Sequence, residues 1–122
     1  MKQHLRYLAI GALSFLAVII LERLAAGLEG HLLRTEIYSI HGFSHVLFGI
    51  GLTSTILFLR PRASAKVVIL AVLLAGIAWE LHEAYWLRGE LIDSVEDVVL
   101  AILSASTFLC FIRRNDREDS PT

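Results

Sequence analysis

From Ile37 to Leu59 the chain runs for 23 residues without an Asp, Glu, Lys or Arg. A helix of that length is ~34 Å long at 1.5 Å per residue, enough to cross the ~30 Å apolar core of a bilayer. Three further uncharged runs follow the same pattern: Tyr7 to Leu21, Val67 to Trp79, and Val98 to Ile112. They are apolar all round, which excludes the one-sided surface helices of a water-soluble protein. The chain is 56% hydrophobic, against roughly 45–50% in soluble domains. The excess sits in these four blocks.

Three of the runs are too short to span unless they take in charged neighbours. Tyr7–Leu21 needs Glu22 and Arg23, Val67–Trp79 needs Glu80 and Glu83, and Val98–Ile112 needs Asp93 and Asp97. The expected fold is therefore all-α, an integral membrane four-helix bundle in one domain over residues 1–112. The spans fall at about 5–26, 38–59, 67–87 and 93–112, with a polar tail without regular structure over 113–122. A cleaved signal peptide is the rival reading of the first run, but Arg23-Leu24-Ala25-Ala26 makes a poor cleavage site.

With four spans, eight of the 11 Lys and Arg residues lie on one side: Lys2, Arg6, Arg60, Arg62, Lys66, Arg113, Arg114 and Arg117. Only Arg23, Arg34 and Arg88 lie on the other. The positive-inside rule then places both termini in the cytoplasm of a multi-pass protein of the cell membrane. A net charge of −1 provides no basic field for nucleic acid. The single cysteine, Cys110, excludes an internal disulfide and a thiolate metal cluster.

In this orientation the swallowed charges share one layer at the outer ends of the spans. Glu22 closes the first, His41 and His45 open the second, Glu80 and Glu83 close the third, and Asp93 and Asp97 open the fourth. Helical spacing puts each set on one face with small residues in line: Gly11, Ser14 and Glu22; His41, His45 and Gly49; Gly76 and Glu80; Asp97 and Ala101. Such stripes mark the inward faces of a membrane bundle. An acid at mid-bilayer costs roughly 2.5–3.5 kcal/mol on insertion scales. The excess of carboxylates is answered by protonation, by water, or by a bound cation.

Imidazoles beside carboxylates suit a divalent metal, zinc first and iron or manganese next. His41, His45, Glu80 and Asp97 are the candidate ligands. Glu83 or Asp93 would act as general base toward a bound water, and Arg88 would steady an anionic group. Glu96 and His82 point off these faces and read as rim residues. Other motifs fail: Trp86 stands where the second histidine of a zincin helix belongs, and Glu80-x-x-Glu83 lacks the imidazole of a carboxylate-bridged iron site.

His41-Gly-Phe-Ser-His45, Glu80-Leu-His-Glu83 and Asp93-Ser-Val-Glu-Asp97 together resemble the small membrane proteins of the YjdF type, and more distantly the VanZ-like family. The likeness covers about Ser39 to Ala105. It places His45, Glu80, Glu83, Arg88, Asp93 and Asp97 on matching positions, while His41 stands where the family's usual acid would be. It implies a shared polar site. Its VanZ-like side implies a cell-envelope role connected with glycopeptide resistance.

Three functions remain open on the sequence. One is a metal-dependent hydrolase of a lipid head group or envelope substrate. The second is a proton- or cation-transport element, which lacks ionisable groups deeper in the spans. The third is a structural or accessory subunit whose polar layer locks the helices.

Overall fold

The computed structural model describes residues 2–28, 34–87 and 91–118. Among these the chain forms four helices and no strand: α1 (Lys2–Leu28), α2 (Arg34–Leu59), α3 (Ala65–Leu87) and α4 (Leu91–Glu118). Each carries a stretch long and apolar enough to cross a membrane: His4–Gly27, Ser39–Leu59, Ala65–His82 and Val95–Asn115. The four-helix membrane bundle expected from the uncharged runs is the fold observed.

The helix ends follow local chemistry. Pro61 disfavours helical backbone at Arg60, and α2 stops at Leu59. A turn then closes with the Ala63 N–H donating to the Arg60 carbonyl at 2.9 Å. Ser64 precedes α3, and its Oγ accepts the Val67 N–H at 3.3 Å, as an N-cap does. The Arg113 guanidinium donates to the Ala63 carbonyl at 3.3 Å, tying α4 to this turn.

The far end of α4 departs from expectation. In place of an irregular tail after Ile112, the helix runs on to Glu118. The reason is cooperativity. Once a helix is nucleated, each added residue costs only propagation, and Arg113, Arg114, Arg117 and Glu118 are good helix formers. Loss of hydrophobicity marks where the apolar span ends, not where the helix ends.

The helices pack in the order α1, α2, α4, α3. Among the described residues α1 packs on α2 alone, α3 packs mainly on α4, and α2 meets α3 only lightly. Small residues fill the interior. Gly11, Ser14, Gly49, Ala101 and Ala105 are buried, while Leu13, Ile20, Leu70, Leu74 and Leu103 are each more than half exposed. That inversion is the one a bilayer demands, because lipid solvates leucine and close backbone approach binds the helices.

Gly49 shows how close that approach is. A Cβ there would run into the Ala101 carbonyl and Ser104 Oγ on α4. At Gly11 a Cβ would lie 3.1 Å from Thr55 Oγ1, so α1 meets α2 nearly as tightly.

Along the bundle axis the interior changes character. Near the basic turn, Tyr7, Leu57, Val68 and Leu109 form an apolar cluster. Val72, Ala101 and Ala105 form a second above it. Among the described residues, imidazoles and carboxylates enter the interior only beyond these layers, at the opposite end.

Candidate metal centre

Two close helix contacts assemble the site. Gly49 rests against Ala101, and one turn further along α2 and α4 stand His45 and Asp97. Because α2 and α4 run in the same direction, the register is kept, and His45 Nε2 reaches Asp97 Oδ2 at 3.1 Å. Gly76 lies against Val98, where a Cβ would meet Val98 Cγ2 at 3.4 Å. One turn beyond Gly76 on α3 is Glu80, which this contact brings beside Asp97.

The result is one donor group from each of three helices. Ligand atoms of His45, Glu80 and Asp97 all lie within 4.8 Å of one another. Glu80 is 8% exposed, and the side chains of His45 and Asp97 are 14% and 19% exposed. Two carboxylates this close, largely removed from solvent, repel on the order of 3 kcal/mol at the effective dielectric of protein interiors. His45 Nε2 lies 3.1 Å from Asp97 Oδ2, and the group sets one imidazole against two carboxylates. A divalent cation would bring the charge sum of a neutral imidazole and two carboxylates to zero.

His41 is placed differently. One turn from His45 toward the end of α2, its Nδ1 lies 3.1 Å from Glu22 Oε2 on α1 and 3.3 Å from Oε1. Both side chains are about two-fifths exposed, at 41% and 38%. The structure thus puts His41 into a link between α1 and α2 and not into the three-residue group. Spacing alone puts His41 and His45 on one face, but the neighbour that each meets depends on helix order. Glu22, expected in the polar layer at the outer end of the first span, is the residue His41 meets.

Of the other residues singled out, Glu96 and His82 are exposed, as rim residues should be, and Arg23 at the end of the first span is exposed too. The side chains of Glu83 and Asp93, and all of Arg88, lie outside the described residues. The backbone of Glu83 is one turn beyond Glu80 in α3, and that of Asp93 one turn before Asp97 in α4.

Ser44 was not anticipated. It is 3% exposed beside His45, with its hydroxyl donating to the Ile40 carbonyl at 3.2 Å. No charge or pairing in the sequence distinguishes it from the other serines. Deeper in α2, Thr53 and Ser54 are fully buried, and Thr53 Oγ1 and Ser54 Oγ have no hydrogen-bond partner among the described residues.

Set against known protein families, curated proteins and solved structures, the chain finds no match in any of the three.

Proposed function

We propose that His45, Glu80 and Asp97 hold one divalent cation, zinc by preference, at the end of the bundle remote from the basic turn. The observation that carries this is the meeting of one imidazole and two carboxylates from three helices inside 4.8 Å. Three protein donors leave a coordination position for water or substrate, the pattern of catalytic and not of structural zinc. Iron and manganese suit the same donor set.

The reaction class this supports is hydrolysis of an ester or phosphoester in a lipid or envelope substrate. A cation in this position supplies Lewis-acid chemistry toward a water and toward the oxygen of the bond to be broken. The chain's own residues then have defined tasks. Asp97 Oδ2, 3.1 Å from His45 Nε2, would share the cation with that ring. Glu80 contributes the most buried charge. Glu83 or Asp93, a turn nearer the helix ends, would accept the proton of the attacking water, and the leaving oxygen would take one in exchange. Arg88, which follows α3 in the sequence, would hold an anionic group.

The positive-inside distribution supports an orientation with this end outside the cytoplasm, where an envelope substrate would be met. The proposed kinship with YjdF-type and VanZ-like proteins points the same way.

The test is elemental analysis of protein purified in detergent after dialysis. One metal per chain is expected, with loss in His45→Ala and Glu80→Gln and retention in His41→Ala. Purified protein loaded with zinc should then release head groups from a panel of phospholipids and prenyl phosphates, read by mass spectrometry. Metal-free, fully folded wild type would remove the reading.

One observation favours a second reading. The His45–Asp97 contact at 3.1 Å satisfies both partners without an ion, so the cluster would serve as a helix lock. Asp97→Asn separates the two: a lock loses thermal stability with no metal to lose, whereas a metal centre loses its ion.

A further inference from the structure

The packing order leaves one side of the bundle open. Among the described residues α1 packs on α2 alone, with no close backbone approach to α3. Between them runs a groove of about 200 Å³, walled by Phe15, Val18 and Ile19 of α1, Ser44, His45 and Phe48 of α2, and Gly76 and Trp79 of α3. Ile19 and Trp79 stand at its mouth, 58% and 47% exposed. Its floor is formed by buried Ser44 and Gly76. Phe15 and Phe48 meet edge to face at 6.2 Å and close its inner end.

We propose that this groove takes a single hydrocarbon chain of a membrane lipid, with the lipid's polar head at His45. The inference rests on the reading of His45, Glu80 and Asp97 as the functional site, and it names the substrate class as an amphiphile with an acyl or prenyl chain. Three features support it. The groove is largely apolar: its polar side chains are Ser44, whose hydroxyl is turned to the Ile40 carbonyl, and His45, which is also in contact with Asp97. It opens sideways between two membrane-crossing helices, so its mouth faces lipid and not water. Its volume falls below the ~300–1,000 Å³ of drug-sized pockets and suits a narrow chain. A partner helix ~10 Å across could not enter it.

The experiment uses the full-length protein in nanodiscs of phosphatidylglycerol, loaded with zinc and doped with a phosphatidylglycerol bearing a diazirine on one acyl chain. After illumination, labelled residues are mapped by mass spectrometry. Labelling is expected at Ser44 and Phe48, which do not face the surrounding lipid, besides outward-facing Leu13 and Leu74. Val18→Trp fills the groove from α1 without replacing any of the three donors and should cut labelling at Ser44 and Phe48 several-fold. Labelling at Leu13 and Leu74, and the zinc content, should not change. Ile19→Trp at the mouth should act the same way, and it serves if Val18→Trp fails to fold. Labelling confined to outward-facing residues, or unchanged labelling in a folded groove-filling variant, would overturn the proposal. Zinc content read in the same samples keeps the two ideas apart: zinc without floor labelling removes the groove alone, and floor labelling without zinc removes the metal alone.

Discussion

Glu80 concentrates the cost of the site. It is nine-tenths buried on a helix whose neighbours Trp79, Leu81 and His82 are all exposed. Its importance was legible in the sequence because an acid inside an apolar run demands an answer. His45 and Asp97 were legible for the same reason, through their spacing on α2 and α4. The role of His41 was not, since a histidine near a helix end pairs with whatever helix lies beside it. The His41–Glu22 pair should matter little. At about two-fifths exposure, a double-mutant cycle of His41→Ala and Glu22→Gln should return a coupling of roughly 0.2–1 kcal/mol in thermal unfolding. A coupling several times larger would show the pair to be part of the site. Thr53 offers a test of opposite sign. Its buried hydroxyl has no hydrogen-bond partner among the described residues, and such groups cost about 1–3 kcal/mol. Thr53→Val keeps the shape and removes the hydroxyl, so the melting temperature should rise; a clear fall would mean that the hydroxyl is answered after all.

At the scale of elements, the close approach of α2 to α4 holds the site in register. Gly49→Val should force the helices apart, destabilise the bundle by about 1–3 kcal/mol, and weaken zinc binding by separating His45 from Asp97. Gly27→Ala is the matched control, because nothing lies within 4 Å of a Cβ there. It should leave zinc binding and melting temperature unchanged or slightly raised, as helix propensity favours alanine. Equal losses in both variants would show that the Gly49 contact is not what positions the site. The small-residue stripes that make these contacts were readable from i, i+4 spacing. The extension of α4 to Glu118 was not, because hydrophobicity reports the membrane's thickness and says nothing about a solvated helix beyond it.

For the whole molecule, hydrophobic pattern predicted the number of spans but not their order. Helices that are apolar all round carry almost no signal for which neighbour each face meets, so the row α1, α2, α4, α3 and its open side had to come from the structure. Orientation is the remaining global property, and charge is its only indicator. A fluorescent protein fused to the C-terminus should fold and fluoresce in cells, and alkaline phosphatase fused there should be inactive. Alkaline phosphatase inserted between α3 and α4 should be active. The reverse result would put the site on the cytoplasmic face and redirect the search for its substrate.

The account depends on an ion meeting three helices at one point. X-ray absorption of zinc-loaded protein reads that point directly. The spectrum should show mixed nitrogen and oxygen ligands at about 2.0–2.2 Å with the multiple-scattering signature of a single imidazole, and His45→Ala should abolish that signature while His41→Ala leaves it intact. Zinc surrounded only by water oxygens, or an imidazole signature that survives His45→Ala, would contradict it.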